Sequence, residues 1–219
     1  MDFSAFDAAI ERVEKARLAY DSRHITQIVA ASKYVDSAAI AALYGYGQRA
    51  FGENRAQDLA AKSAELENLP IEWHFIGVLQ SNKIAKLLAL RPALIHSVSS
   101  LELARAINDR AAQMGIIQRV LLQVNSAREK SKSGVLPEAA LETYAAIKET
   151  CPALVLEGVM TIGARAEDQN QIAASFKTAR EIRDQTGGKT LSMGMSGDFE
   201  IAISFGANLL RLGSVLFKN

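Results

Sequence analysis

Cysteine, proline and net charge are all scarce in this sequence of 219 residues. The single cysteine, Cys151, excludes an intramolecular disulfide and supplies no thiolate cluster for a metal, which fits a reducing cytoplasm. The 25 Lys and Arg residues against 24 Asp and Glu give a formal net charge of +1, so no broad basic surface is available for nucleic acid. No run reaches the ~20 apolar residues of a membrane span, and the N-terminus lacks the apolar core of a signal peptide. We therefore expect a cytoplasmic protein with neither membrane nor nucleic-acid partners.

Short apolar segments alternate with segments that have the period of amphipathic helices. The strand candidates are residues 25–32, 49–54, 71–77, 93–98, 119–125, 156–163, 189–196 and 209–217. This alternation predicts parallel βαβ units, and their number favours an α/β fold of the (β/α)8 TIM-barrel type with an extra N-terminal helix. An open doubly wound sheet is the alternative, although no GxGxxG follows the first strand. With only 4 prolines and no flexible linker, we expect a single domain over residues 1–219.

Several helix ends are marked by capping residues. Asp36 and the pair Ser99 and Glu102 predict helix starts, the latter as a capping box. Gly115 and Gly187 lie where helices are expected to end.

In a barrel of this type, ligand chemistry lies at the carboxyl ends of the strands, and here those ends are rich in polar residues. The segments SMGMSGD (192–198) and RLGS (211–214) end the last two strands, which commonly form a phosphate site. Small residues let backbone amides approach an anion, and Asp198 marks a helix start that would offer further N–H groups. Glycines and serines that merely make tight loops are the alternative.

Lys33 ends the first strand candidate and would face the same mouth of the barrel. A lysine whose stem covers the rim and whose amine reaches solvent is the simplest interpretation. A partly desolvated amine could instead add to a carbonyl as a Schiff base. Such an amine beside a phosphate cradle suits an aldolase-type enzyme for a phosphorylated sugar, or a protein that uses pyridoxal 5'-phosphate (PLP).

A set of ordered motifs resembles the YggS/PROSC family of PLP homeostasis proteins. The motifs are ASK (31–33), FGENRAQD (51–58), WHFIGVLQSNK (73–83), VNSAREKSKSG (124–134), GVMTI (158–162) and the segment from SMGMSGD to LGSVLF (192–217). The resemblance implies PLP fold type III, similar to the N-terminal barrel of alanine racemase. It speaks against the aldolase alternative.

The resemblance also implies roles for individual residues. Lys33 would carry PLP as a Schiff base, and Ser196, Gly213 and Ser214 would hold its phosphate. Arg211 would lie along the ring, facing the pyridine nitrogen or the phosphate. The other members of the implied cofactor-binding set lie around these groups: Asn54 lining the pocket, His74 at its edge, Met160, and the backbones of Ser192 and Met193. No metal is implied, and His24 and His96 are expected to serve packing or surface roles only.

The implied function is a protein that carries or buffers PLP and so supports PLP homeostasis and, indirectly, amino-acid metabolism. A guanidinium cannot accept a proton from the pyridine nitrogen, so Arg211 would keep the ring a weak electron sink. The chain ends at Asn219 without the C-terminal β-domain that supplies alanine racemases with an opposing tyrosine, so we expect mostly monomer. Enzymatic turnover is left open, and a weak PLP-dependent amino-acid racemase is the alternative.

Lys132 stands in the loop AREKSKSG, whose composition favours a solvated, mobile segment. The alternative is that its amine helps to pass the cofactor on by transimination. Besides PLP, the candidate partners are other B6 vitamers and PLP-requiring apoenzymes.

Overall fold

The strands close into a barrel in which all neighbours run parallel. The computed structural model describes residues 3–165 and 168–217, and within them the strands pair in chain order from β1 to β8, with β8 returning to β1. They are β1 Gln27–Ala31, β2 Ala50–Glu53, β3 Glu72–Phe75, β4 Leu94–Val98, β5 Gln118–Val124, β6 Leu154–Thr161, β7 Thr190–Ser192 and β8 Leu209–Leu212. This closure confirms the predicted (β/α)8 barrel and excludes the open sheet.

One helix precedes β1, the others connect successive strands, and together they form the outer layer. They are α1 Ser4–Tyr20, α2 Ser37–Gly45, α3 Ala56–Glu65, α4 Ile84–Ala89 (after a 3₁₀ turn, Ser81–Lys83), α5 Leu101–Gln113, α6 Pro137–Thr150, α7 Gln169–Thr186 and α8 Phe199–Ser204. The predicted extra N-terminal helix is α1. Its Phe3 flank stacks on Tyr46 after α2, and its Arg12 pairs with Glu200 on α8. Among the described residues, none of these helices combines the length and the apolar character that crossing a membrane requires.

Two apolar layers hold the barrel together. Alternate residues of a strand face opposite sides, so neighbours such as Leu94 and Ile95 belong to different layers. The larger layer lies between the strands and the helices and contains Ile95. The smaller layer fills the barrel interior with Val29, Leu94, Leu121, Met160 and Leu209.

The helix ends agree with the capping predictions at three positions and differ at one. The Asp36 carboxylate accepts a hydrogen bond from the Ala39 N–H at 2.8 Å, and Gly115 and Gly187 have positive φ values of 64° and 68°. The predicted capping box at Ser99 is wrong by one residue. The α5 cap is Ser100, whose hydroxyl accepts from the Leu103 N–H at 3.1 Å because the helix begins at Leu101.

The last two strands are shorter than their apolar segments predict. The strand β7 stops at Ser192, and Gly194 then takes a φ of 93°. A Cβ at Gly194 would lie 2.7 Å from the Ala202 Cβ, so only glycine fits this close turn. The strand β8 stops at Leu212, which leaves residues 213–217 as a turn. Both loops are therefore free to shape the mouth of the barrel.

Gly158 marks a contact that a side chain would break. It pairs with Thr190 between β6 and β7, and a Cβ built on it would lie 2.0 Å from the Thr190 carbonyl oxygen. We expect Gly158→Ala to lower the free energy of unfolding by about 3 kcal/mol or more, because a backbone atom must move.

Denaturant unfolding measures this effect, with Gly45→Ala as the matched control. No atom lies within 4 Å of a Cβ built on Gly45, the last residue of α2. The control should be neutral or stabilising. Equal stability of the two variants would contradict the packing described for β6 and β7.

Candidate functional site at the barrel mouth

The carboxyl ends of β1, β7 and β8 surround a cavity of about 540 Å³. Five residues of the predicted cofactor-binding set line it together: Lys33, Ser196, Arg211, Gly213 and Ser214. They come together because β8 pairs with both β1 and β7, so the loops after these strands are neighbours. The cavity has the size of a small-molecule site.

Lys33 lies in the turn that follows β1, and its side chain is exposed. Its Nζ is 4.8 Å from the centre of the Tyr34 ring. The preceding residue, Ser32, is fully buried and fixes this turn: its hydroxyl donates to Glu53 Oε1 at 2.7 Å. Lys62 Nζ donates to the Ser32 carbonyl and to the same Glu53 oxygen, each at 2.7 Å. The Lys33 side chain is thus exposed, and it extends from a backbone turn that Ser32, Glu53 and Lys62 hold in place.

The loops after β7 and β8 converge on one hydroxyl. The Ser196 Oγ accepts from the backbone N–H of Gly213 at 3.2 Å and from that of Val215 at 3.5 Å. These donors would suit an anionic oxygen placed between them. No atom lies within 4 Å of a Cβ built on Gly197, so the loop leaves open space beside this cluster. The arrangement therefore gathers two backbone N–H groups at one point of the cavity wall.

Arg211 closes the inner wall of the cavity. Its Nη1 donates to the Ser192 Oγ at 2.7 Å, and its Nη2 donates to the Thr161 carbonyl at 2.8 Å. Burial lowers the pKa of Arg211 to about 10, although the nearby Asp198 carboxylate acts in the opposite direction. The guanidinium therefore remains charged at neutral pH and presents a fixed cation to the cavity.

Asp198 and Lys132 lie at the rim beyond the β6 end. Burial raises the pKa of Asp198, and the hydrogen bond from the Met195 N–H opposes this shift. Lys132 Nζ donates to the Gly163 carbonyl at 2.6 Å and to the Glu129 carboxylate at 2.8 Å. These two acceptors hold the Lys132 amine against the end of β6, while Arg128, Lys130, Ser131 and Ser133 of the same loop are exposed.

The remaining predicted residues lie outside the lining of this cavity. Asn54 lines a separate cavity of about 260 Å³ beside the loop after β3. Met160 belongs to the apolar layer inside the barrel, and Met193 is packed in the outer layer. Ser192 is fully buried behind Arg211. We predicted His74 at the edge of the pocket, but it lies deeper, with its Nδ1 2.8 Å from His96 Nε2.

Some residues that shape the site were not predicted for it. Lys62 anchors the Lys33 turn through the Ser32 carbonyl and Glu53, but a lysine on α3 carries no local signal that it reaches back to β1. Val215 contributes through its backbone N–H, which no side chain reveals. His96 was expected to pack only, yet its Nδ1 lies 3.0 Å from the Ser192 Oγ that holds Arg211. The alternation of side chains along β4 could have predicted that His96 points into the barrel, because Leu94, two residues earlier, also points inward.

The residues at the cavity fit PLP in chemistry. The Lys33 amine could react with its aldehyde, and the backbone N–H groups of Gly213 and Val215 could hold its phosphate. The buried Arg211 could face its pyridine nitrogen or its phosphate. Within residues 3–165 and 168–217, no group of three His, Cys, Asp or Glu side chains is placed to hold a metal ion.

Comparison with known proteins shows the family to which this chain belongs. The model of the family described as the alanine racemase N-terminal domain matches residues 2–219. The chain is 55% identical over 213 residues to the pyridoxal phosphate homeostasis protein of Helicobacter pylori, an alignment that covers 97% of this chain and 96% of that protein. The chain therefore belongs to the pyridoxal phosphate homeostasis protein family, which confirms the resemblance of its motifs.

Solved structures agree with this assignment. A protein of Bifidobacterium adolescentis superposes with a TM-score of 0.93 at 35% identity, over 98% of this chain and 94% of that one. PipY of Synechococcus elongatus, solved with PLP bound, superposes with a TM-score of 0.81 at 32% identity, over 94% of this chain and 99% of PipY.

Proposed function

We propose that this chain binds PLP as a Schiff base on Lys33 and carries or buffers the cofactor within the cell. The observation that carries the proposal is the meeting of three groups around one cavity: the exposed Lys33 amine, the amides gathered on Ser196, and the buried Arg211. Membership in the homeostasis family and the PLP-bound PipY structure support it.

The attachment needs only chemistry that Lys33 can supply. Its neutral amine adds to the aldehyde carbon of PLP, and water leaves as the carbon–nitrogen double bond forms. Because the step is reversible, a second amine or water can release the cofactor again. Such a linkage suits storage and delivery.

The Ser196 cluster would hold the phosphate. The N–H groups of Gly213 and Val215 already point at one oxygen, so a phosphate oxygen could take the place of the Ser196 Oγ. Ser214, exposed at the cavity wall, would supply a further donor. Hydrogen bonds to a charged acceptor are stronger than those to a hydroxyl, so the exchange is favourable.

Arg211 limits what the bound cofactor can do. Its charge persists at neutral pH, and a guanidinium donates hydrogen bonds but accepts none. A pyridine nitrogen facing Arg211 therefore gains no proton from it and stays a weak electron sink. This favours a holding function over carbanion chemistry.

A weak amino-acid racemase is the second candidate. The Tyr34 ring lies 4.8 Å from Lys33 Nζ, which places one phenol beside the amine. Two-base racemisation requires an acid and a base on opposite faces of the substrate carbon. Tyr34 directly follows Lys33 in the chain, so these two residues do not supply such an opposed pair.

Delivery is part of the same proposal. We propose that the protein acts as a cytoplasmic monomer, that it supplies PLP-requiring apoenzymes, and that it also accepts other B6 vitamers. Lys132 is the proposed second amine that releases PLP from Lys33. In the structure its Nζ donates hydrogen bonds to the Gly163 carbonyl and to the Glu129 carboxylate.

Reconstitution tests the function. The purified protein is mixed with PLP, desalted, and examined for visible Schiff-base absorbance and for one cofactor per chain. A parallel sample with pyridoxal, which has the aldehyde but lacks the phosphate, should be retained far less. A protein that stays colourless with PLP would refute the proposal.

Incubation of the reconstituted protein with L-alanine in deuterated water then decides between the two candidates. The carrier should leave the α-proton unexchanged over many cofactor equivalents. Steady exchange with turnover would favour the racemase.

A further inference from the structure

A chain of polar side chains crosses the apolar interior of the barrel. It starts at Arg211, whose Nη1 lies 2.7 Å from Ser192 Oγ. It continues from Ser192 Oγ to His96 Nδ1 at 3.0 Å and from His96 Nε2 to His74 Nδ1 at 2.8 Å. It ends where His74 Nε2 lies 3.3 Å from Glu72 Oε1. The chain thus joins the cofactor cavity to the opposite end of the barrel.

The far end opens on a small cavity at the barrel floor. This cavity has a volume of about 150 Å³, and its lining includes Glu72, His74, Arg119 and Glu157. Arg119 is already paired with Glu157 at 2.6 Å. Within the described residues, His74 Nε2 makes no hydrogen bond of ordinary geometry, and Glu72 Oε1 lies 3.3 Å from it, within ion-pair distance.

The donors and acceptors allow one consistent direction. Arg211 can only donate, so Ser192 Oγ accepts from it, and the Ser192 hydroxyl proton must go to His96 Nδ1. The His96 proton then sits on Nε2 and is donated to His74 Nδ1. The His74 proton sits on its Nε2 and faces the Glu72 carboxylate.

The reverse direction is unfavourable at both ends. It would leave the Ser192 hydroxyl proton without an acceptor in the chain. With His74 neutral, it would also point a nitrogen lone pair of His74 at the Glu72 carboxylate. Burying a polar group without its partner is costly, so the first direction is preferred.

The electrostatic setting agrees with a neutral His96 imidazole. Burial, followed by the neighbouring His74 and Arg211, holds the pKa of His96 well below its ordinary value. The contact with His74 lowers the pKa of Glu72, against the opposing effect of partial burial. Glu72 therefore supplies the negative end of the chain, and Arg211 the positive end.

We propose that His96 is a positioning residue for the cofactor site, acting through Ser192 to orient the guanidinium of Arg211. By accepting the Ser192 proton, His96 fixes the lone pair of Ser192 Oγ that receives Arg211 Nη1. His74 and Glu72 in turn fix the His96 tautomer. This inference rests on the proposed binding of PLP, because its consequence is the placement of Arg211 against the cofactor.

Variants of His96 test the proposal through affinity and spectrum. His96→Leu keeps apolar volume but removes the acceptor, whereas His96→Asn can place an amide oxygen close to the Nδ1 position. We expect His96→Leu to weaken PLP binding about tenfold, the effect of losing one oriented hydrogen bond to a charged group, and to shift the absorbance of bound PLP. His96→Asn should stay within about twofold of wild type.

A second variant and an apoprotein measurement complete the test. Ser192→Ala cuts the same chain with a minimal change of volume, and it should reproduce the His96→Leu spectrum even if His96→Leu fails to fold. In the wild-type apoprotein, nitrogen-15 NMR at neutral pH should show protons on Nε2 of both His74 and His96. Thermal melting reports any purely structural loss separately.

The outcomes distinguish this inference from the function on which it rests. Wild-type protein that does not bind PLP would refute both. If wild-type protein binds PLP and both Ser192→Ala and His96→Leu match it in affinity and in spectrum, only the positioning role is refuted. Protons on Nδ1 of either histidine, or an imidazolium, would overturn the proposed direction of the chain.

Discussion

We expect the Lys33→Ala variant to lose all covalently held PLP. No other amine lines the cavity among the residues that the structure describes, so no neighbour can replace it. The variant keeps the Ser196 cluster and Arg211, and weak non-covalent binding should survive. Absorbance after desalting measures the loss, and equilibrium dialysis measures the remaining binding.

The matched control is Lys189→Ala. Lys189 is also exposed but precedes β7, at the opposite end of the barrel. It should retain the wild-type absorbance and stoichiometry. If Lys33→Ala kept the visible band, the Schiff base would belong to another residue and the proposed site would be wrong.

Ser196→Asp should weaken PLP binding at least about 100-fold, since like charges in contact cost several kcal/mol. The new carboxylate can accept the N–H groups of Gly213 and Val215, so we expect the loop to keep its shape. It would then hold a negative charge at the proposed phosphate site.

Two comparisons separate this effect from general damage. Ser196→Ala removes one hydroxyl and leaves both amides free, so the expected loss of PLP affinity is about tenfold or less. Attachment of pyridoxal, which lacks the phosphate, should change little in either variant. Equal losses for PLP and pyridoxal would show that Ser196 does not hold the phosphate.

The barrel and half of the site could be predicted because they depend on local patterns and topology. The alternation of strand-like and helix-like segments predicts parallel βαβ units. Closure of these units into a barrel makes β8 the neighbour of β1. That closure places Lys33 beside Ser196, Arg211 and Gly213, which are far apart in sequence.

The rest depends on contacts that no local pattern encodes. The strand β7 ends early because Gly194 must turn against α8, although the apolar run continues to residue 196. Lys132 is held by the Gly163 carbonyl, which lies in the segment that follows β6. The partners of His96 lie on β3 and β7, across the barrel interior. The alternation of side chains along a strand predicts that His96 points into the barrel, but it does not predict which residues it contacts.

The most direct test of the account is the site of cofactor attachment. Wild-type protein is loaded with PLP, reduced with borohydride to make the linkage permanent, digested, and examined by mass spectrometry. The account predicts one modified peptide, with the mass increment of reduced PLP on Lys33. Modification of a different lysine, such as Lys132, or no modification at all, would contradict it.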